Sequence, residues 1–448
     1  MQNTSPNPAL DTAPGTVTSP AMTVEGDVIV RKVGRRVMWY LIALYVISVL
    51  DRGNLGFASF SMNRDLGLTP QMYSIGLGVL FLGYALFELP SNLALARFGA
   101  RKTLTRIALA FGVVTISMAF VTGPYSFYLV RALLGIAEAG LTPGVFLYLS
   151  YWIPQHYRAR YNARFTYAIP CAYVLASLIS GLIMQLDGTL GIPGWKWLFV
   201  LEGLPALALG LFGIYYLTDH PRQAKWLSER ERNWLQNQIE SEKKGNPSGH
   251  TDGIKDLLKT RIFWLLALGY IGIFCGNACL GAWLPQILHR HDVPLNMIGI
   301  LAALPPLAGV IGMTLLCRRS DLKNERIKHA IGGTLIAATG YCIVAFSNNL
   351  VVTLLGFMVA NIGVYSSLAI FWSIPQTFLS AKIRPAAIAL VASFGALFGG
   401  WLAPMAIGNI QTKTDSLSTG LGLVSLLFLV SAVCIYFVGR RMAIIGKS

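Results

Sequence analysis

Apolar stretches of about 20 residues, parted by short polar turns, recur along the chain from about residue 37 to its end. Twelve can be drawn, at about 37–61, 73–95, 103–122, 125–149, 163–186, 197–217, 261–286, 296–317, 327–346, 350–374, 385–409 and 418–439. Each is long enough to cross a hydrocarbon core of roughly 30 Å as a helix. A membrane β-barrel would instead need alternating segments of about ten residues, and these are absent. The pattern therefore predicts an all-α polytopic membrane protein with twelve transmembrane helices. The one long interior connection, 218–260, parts six spans from six. The expected division is a polar tail over 1–30, a six-helix bundle over 31–217, the central loop, a second bundle over 261–440 and a short tail over 441–448.

The polar segments refine this picture. Residues 1–30 are rich in Pro, Thr and Ser and carry Asp11, Glu25 and Asp27, which excludes the basic start and apolar core of a signal peptide and reads as a disordered tail. In the central loop, Glu229-Arg230-Glu231-Arg232, Trp234-Leu235 and Ile239-Glu240 predict a short amphipathic helix on the membrane surface. Asn246-Pro247-Ser248-Gly249 follows as a flexible linker, and a plain solvated connection is the alternative for the whole loop.

Composition agrees. The 448 residues are 54% hydrophobic and 12% charged, too few charges for a soluble surface of this size. The net charge of +16 would point to nucleic acid in a soluble chain. Here the basic residues occupy alternate short loops: Arg31, Lys32, Arg35 and Arg36; Arg97, Arg101, Lys102 and Arg106; Arg158, Arg160 and Arg164; Arg318, Arg319, Lys323, Arg326 and Lys328; Lys382 and Arg384; Arg440, Arg441 and Lys447. The opposite loops hold Arg64, Lys196, Arg290 and Lys413. This asymmetry predicts both termini in the cytoplasm of a multi-pass inner-membrane protein, with lipid and not nucleic acid as its surroundings. The six cysteines are scattered singly, without CxxC or metal-ligand spacing, so neither a disulfide framework, a metal nor a cofactor is expected.

Against this background the first span is anomalous, because Asp51 and Arg52 stand side by side inside it. A charge at such depth costs about 2.5–3.5 kcal/mol on insertion scales, so it calls for a function or a partner. At 1.5 Å per residue, Asp51 lies about 21 Å from the cytoplasmic end of its span and about 15 Å from the outer end. In the antiparallel fourth span Arg131 lies about 9 Å below the outer end, with Glu138 two turns deeper on about the same face. Adjacent helix residues diverge by about 100°, which turns Asp51 toward Arg131 and Arg52 toward a central cavity. A ladder of Asp51, Arg131 and Glu138 results, suited to proton coupling: a substrate carboxylate that captures a guanidinium leaves an acid readier to take a proton. Arginine suits the anion site because it stays charged and grips a carboxylate with two bonds. The alternative is that these groups are ion pairs holding helices together. For Glu88 and Glu202, nearer the span ends, structural bonds to loop amides or an arginine are the first reading, with a gate as the other for Glu88.

Other polar residues are candidates for the cavity wall. Tyr84 follows Gly83 in span 2, and Asn277 follows Gly276 in span 7. Span 10 carries Asn361, Tyr365, Ser366, Ser367, Trp372, Ser373 and Gln376 around Pro375, the hydroxyls, amides and aromatics that a ligand-binding broken helix needs. For each, packing is the alternative. The histidines His156, His220, His289 and His291 fall in loops, where solvation is expected.

Several motifs resemble those of the major facilitator superfamily. Arg97-Phe98-Gly99-Ala100-Arg101-Lys102 resembles its loop after span 2, with Asn92 and Ala96 where Gly and Asp are usual, and Arg318-Arg319-Ser320-Asp321 echoes that loop six spans later. Leu50-Asp51-Arg52-Gly53-Asn54-Leu55-Gly56-Phe57-Ala58, Gly83-Tyr84, Phe87-Glu88-Leu89-Pro90-Ser91-Asn92, Arg131-Ala132-Leu133-Leu134-Gly135-Ile136-Ala137-Glu138-Ala139-Gly140 and Gly194-Trp195-Lys196-Trp197-Leu198-Phe199-Val200-Leu201-Glu202-Gly203 resemble its anion:cation symporter branch. That branch carries tartrate, phthalate, sugar acids and other organic anions. The resemblance implies a fold of two six-helix halves and a proton-coupled importer of a small carboxylate, working as a monomer. It implies anion binding by Arg52 and Arg131 and protonation of Asp51 and Glu138; Tyr84, Asn277, Trp372 and Ser373 are the further substrate contacts expected from the polar residues above. In span 11, Ala392-Ser393 and Gly395-Ala396 stand where asparagines are frequent in the branch, which weakens any transfer of a sugar-acid substrate.

Rival classes fare worse. An efflux pump of this kind usually shows Gly-Pro-xx-Gly-Gly in span 5, where this chain reads Ile169-Pro170-Cys171-Ala172-Tyr173. ATP-driven transport needs a phosphate loop, and Gly446-Lys447-Ser448 lacks its first Gly and following helix. An enzyme would cluster His or Asp at a span end. A sensor without transport remains as an alternative.

Overall fold

The computed structural model describes residues 24–244, 258–323, 325–375 and 384–445. The tail up to residue 23, the linker Asn246–Gly249, Gln376, Lys382 and the terminal Gly446-Lys447-Ser448 lie outside the described residues. Among those described, secondary structure is helical throughout, and twelve helical segments are long and apolar enough to cross a membrane.

The first six spans are α1 (Val24–Asp65), α2 (Pro70–Phe98), α3 (Ala100–Ser117), a fourth split into α4 (Pro124–Glu138) and α5 (Leu141–Trp152), α6 (Gln155–Ile183) and α7 (Gly194–Tyr216). After the connecting helix α8 (Glu229–Lys244) come α9 (Arg261–Arg290), α10 (Leu295–Lys323), α11 (Arg326–Phe346), α12 (Leu350–Phe371), the pair α13 (Arg384–Phe394) and α14 (Ala403–Thr414), and α15 (Leu417–Ile445). The helix of the first span starts at Val24, inside the stretch expected as tail, and Ile29, Val30 and Val33 are buried along it. The last helix runs on to Ile445, into the stretch expected as a tail.

Two spans are interrupted. In the fourth, Ala139 leaves helical geometry and Gly140 takes φ +85°, a left-handed conformation that glycine adopts without steric cost. Pro143, which has no N–H to give the carbonyl of Ala139, reinforces the break. The expected single helix over 125–149 is therefore two, and the break falls directly after Glu138. In the eleventh span, α13 and α14 are joined by a π-helical stretch, Gly395–Leu402, whose wide turn lets Gly395, Gly399 and Gly400 lie against Tyr270, Ile271 and Phe274 of α9.

Within the first half, α1 packs on α6 and α7, α2 on α4, and α3 on α7; within the second, α11 packs on α12 and α15, α10 on α12 and α9 on α15. The halves meet along α1–α9, α6–α10 and α2–α14. Most of the close approaches between them lie toward the face opposite the termini. There Gly56 abuts the carbonyls of Gly281 and Ala282, Gly181 abuts Gly299, and the Ser177 hydroxyl donates to the Ala302 carbonyl at 3.3 Å. The Tyr73 hydroxyl donates to the Ala282 carbonyl at 3.1 Å, and the rings of Phe60 and His289 stack at 4.5 Å. On the termini side, the hydroxyl of Ser393 in α13 donates to Glu88 in α2 at 3.1 Å. Glu88 thus bonds across the two halves rather than to a loop amide or an arginine.

The connecting helix α8 matches the sequence expectation in place and type, and it seats on protein. Leu235 and Ile239 are buried, Lys32 bonds Glu231 at 2.8 Å, and Arg158 bonds Glu242 at 3.2 Å. Trp226, just before it, stacks on Trp152 at 5.6 Å. The helix is part of the first half.

Candidate functional site

The site starts from four residues of α1. Ser48 and Arg52 are one helical turn apart and share a face. Both reach Glu138, the last residue of α4. The Ser48 hydroxyl donates to Glu138 Oε1 at 2.7 Å, while Arg52 donates to Oε2 from Nε at 3.0 Å and Nη2 at 2.9 Å. Glu138 is fully buried and the Arg52 side chain is 17% exposed. The Arg52 guanidinium also lies over the rings of Tyr84 at 5.4 Å and Phe81 at 6.0 Å, a cation–π arrangement. One carboxylate and two ring faces therefore hold this cation, and Nη1 carries no bond within the described protein.

This pairing differs from the ladder expected from helix arithmetic. Glu138 pairs with Arg52, not with Arg131, because Ser48 and Arg52 are the α1 residues that face the end of α4. Arg131, 1% exposed, donates from Nε to the Gly76 carbonyl at 3.3 Å; its Nη1 has no acceptor, and among the described residues no carboxylate lies within ion-pair distance of it. Asp51 points elsewhere: its Oδ1 accepts from Asn54 at 3.4 Å, and its buried Oδ2 has no partner. Arg131 and Asp51 still feel each other electrostatically, without direct contact.

Asn54, one turn beyond Asp51, links it to a third acid. Its Nδ2 also donates to Glu202 Oε2 of α7 at 2.6 Å, and the Ser180 hydroxyl of α6 donates to Oε1 at 2.9 Å. Glu202 is 4% exposed, bonded to neutral side chains and not to the loop amides or arginine expected. Sequence reasoning passed over Ser48, Asn54 and Ser180. For the first two the signal was present: a polar residue one turn before Arg52, and another one turn after Asp51.

The second half offers fewer free groups. Ser373 donates to Ile370 at 2.6 Å, Ser366 to Ile362 at 2.6 Å, Ser367 to Val364 at 3.0 Å and the Asn361 amide to Phe357 at 2.8 Å, all backbone carbonyls of their own helix. The hydroxyl of Ser373 is thus already committed. Trp372 packs on Tyr270 at 4.6 Å. Unpartnered buried atoms remain on Asn277 and Asn361, each at Oδ1, and on Tyr365, at its hydroxyl. The ring of Tyr365 meets that of Tyr173 in the first half at 6.4 Å. The structure therefore gathers Asp51, Arg52, Tyr84, Arg131 and Glu138 in the first half, whereas Asn277, Trp372 and Ser373 belong to the second and make their contacts there. Among the described residues no group of three or more His, Cys, Asp or Glu side chains is placed to hold a metal ion.

A family profile described as Major Facilitator Superfamily matches residues 41–404. Two Agrobacterium vitis proteins named "Putative tartrate transporter" are each 40% identical to this chain over 412 residues, covering 92% of it and 91% and 95% of their own lengths. A "Quinolone resistance transporter" of Acinetobacter baumannii is 37% identical, covering 94% of this chain and 97% of its own. Among solved structures, a bacterial homologue of the human lysosomal transporter Spinster, inward-facing and unoccupied, superposes with a TM-score of 0.74 at 17% identity, covering 91% of this chain and 97% of that one. The xylose transporter XylE of E. coli, in a partially occluded inward-open conformation, gives 0.70 at 15% identity over 90% and 98%.

Proposed function

From the premise that the chain belongs to the major facilitator superfamily, and is a transporter rather than an enzyme, we propose that it imports a small organic anion together with protons. It works in the inner membrane as a monomer, with both termini in the cytoplasm, by alternating access between its two halves.

The observation that carries this reading is the state of Arg131 and Arg52. Arg131 has a buried Nη1 with no acceptor, and Arg52, 17% exposed, is paired with a single carboxylate. A guanidinium away from water is costly unless its donors are satisfied, and an anionic substrate satisfies them. A carboxylate bridging the two cations competes with Glu138 for Arg52. Once Arg52 turns to the substrate, Glu138 is left with the Ser48 hydroxyl alone and takes up a proton. Asp51, with no cation in contact, is the second proton acceptor. Substrate binding and proton uptake thereby become one event. Tyr84 presents its ring face to Arg52 and fixes its direction, while Asn277, Trp372 and Ser373 bound the site from the second half.

The names of the Agrobacterium vitis relatives support a tartrate-like dicarboxylate as the first substrate to try. Proteoliposomes with an acid exterior should accumulate labelled tartrate or another carboxylate. Arg52→Ala and Arg131→Ala should abolish uptake, and Glu138→Gln should remove its dependence on the pH gradient. Retained pH-dependent uptake in all three variants would overturn the reading. The Acinetobacter baumannii relative supports a second one, efflux of an aromatic acid. Inside-out vesicles that concentrate a quinolone while right-side-out vesicles take up no carboxylate would favour it.

A further inference from the structure

Glu202 has no part in the mechanism above, yet it is built into the same polar core. It belongs to α7, which enters the membrane from the face opposite the termini, and lies eight residues into it, about 12 Å deep. Asp51 is deeper, fourteen residues from the end of α1 and so about 21 Å. Between them stands Asn54, wholly buried, whose amide nitrogen donates to both acids.

One feature of this bridge points to a proton. The Asn54 amide nitrogen lies against Glu202 Oε2 at 2.6 Å, while Asn54 Oδ1 is buried with no donor. A protonated Glu202 supplies that donor: after a half-turn of the Asn54 amide, Glu202 O–H donates to Oδ1. The amide can therefore serve either state of the acid, giving a hydrogen to the carboxylate or accepting one from the carboxylic acid. Among the described residues no cation offsets a charge on Glu202. From α1 it faces Asp51, since Arg52 is turned to Glu138. From α6 it faces Ser180, the basic residues of that helix, Arg158, Arg160 and Arg164, lying at the far end. From α3, Gly112 and Ile116 pack on the neighbouring Gly203, with Arg101, Lys102 and Arg106 again at the far end. The turn Met184–Leu186 brings no ionisable group. At the rim, Asp65 accepts from the Trp195 indole at 2.9 Å and Asp187 from the Gly194 amide at 2.6 Å, each already engaged.

We propose that Glu202 is a further proton-binding site, joined to Asp51 through the reversible amide of Asn54 and nearer than Asp51 to the outer face. This rests on the proton-coupled reading above. A proton entering from outside meets Glu202 first. Because the two acids share one amide donor, charge on one disfavours charge on the other, so that a proton passed to Asp51 leaves Glu202 ionised with the amide donor to itself.

Infrared difference spectroscopy of the purified, substrate-free protein through a pH titration tests this directly. The C=O stretch of a buried protonated carboxyl should be present in the parent and missing from Glu202→Gln. Ser180→Ala, which keeps the acid and removes one hydroxyl, should shift the frequency of that band, and Asn54→Leu should move its titration midpoint. Folding of each variant is checked by its thermal unfolding. A band unchanged in Glu202→Gln, or unmoved by Ser180→Ala and Asn54→Leu, overturns the proposal. The measurement involves no substrate: its failure leaves cotransport standing, whereas the band present in a protein that moves no proton with substrate overturns the symport reading alone.

Discussion

A buried arginine bonded to a buried acid is weak evidence for stability, because desolvation of the two charges consumes most of their attraction. The Arg52–Glu138 pair makes better sense as a contact designed to be exchanged, with Ser48 keeping one oxygen of Glu138 satisfied during the exchange. Ser48→Ala should therefore leave the fold intact and change the pH profile of uptake, since the freed carboxylate loses its remaining donor; loss of one such bond is worth about 1–3 kcal/mol. An unaltered profile would assign Ser48 to packing. Gly140 lies beside this pair, and a Cβ at its φ of +85° meets backbone strain. Gly140→Ala should lower stability by about 1–2 kcal/mol, read from thermal unfolding in detergent. The ionisable residues of the site were legible from charge inside apolar spans. Their pairing was not: helix arithmetic gives depth and rough bearing, and a break directly after Glu138 alters the bearing of that side chain.

At the scale of elements, all twelve spans were legible because lipid forces each backbone to bond within itself, which leaves a long unbroken apolar signal. What pattern alone missed was where a span stops being one helix, as at Gly140 and in the π-helical stretch Gly395–Leu402, since local backbone geometry answers to packing as well as to composition. Glycines play two separable parts here. Gly135 lies under the backbone of α2, where a Cβ would collide with the Leu80 carbonyl inside one half. Gly56 lies under Gly281 of the other half. Gly135→Leu should lower the melting temperature, because the collision persists in every conformation. Gly56→Leu should leave melting near that of the parent and favour the state open away from the termini. Labelling of a cysteine placed at Ala302, with a membrane-impermeant maleimide in a cysteine-free background, reads this: labelling should rise in Gly56→Leu, and unchanged labelling would remove the seam from the transport cycle.

In the whole molecule, the two halves are unequal. The first carries the ion pair, the four buried acids Asp51, Glu88, Glu138 and Glu202, and α8 as an external brace; the second contributes aromatic and amide surface. The sequence asymmetry of buried charge foretold this division, but the seating of α8 on the first half depends on contacts between residues nearly 200 positions apart, such as Lys32 with Glu231. Lys32 holds the Glu231 carboxyl below its ordinary value by hydrogen bonding and charge. The brace is accordingly present at pH above the ordinary carboxylate range and is lost as pH falls through that lowered value. Being partly exposed and screened, the pair is worth about 0.2–1 kcal/mol, so Glu231→Gln should speed hydrogen exchange in α8 modestly and leave global melting unchanged.

The central claim is that anion and proton cross together through the Arg52–Glu138–Arg131 site, and it is tested most directly by a pH-sensitive dye sealed inside proteoliposomes of the purified protein. Addition of tartrate, or of whichever carboxylate the uptake assay identifies, should acidify the lumen in step with labelled uptake, and Glu138→Gln should take up substrate without that acidification or not at all. Uptake by the parent protein with no change in lumen pH would contradict the account.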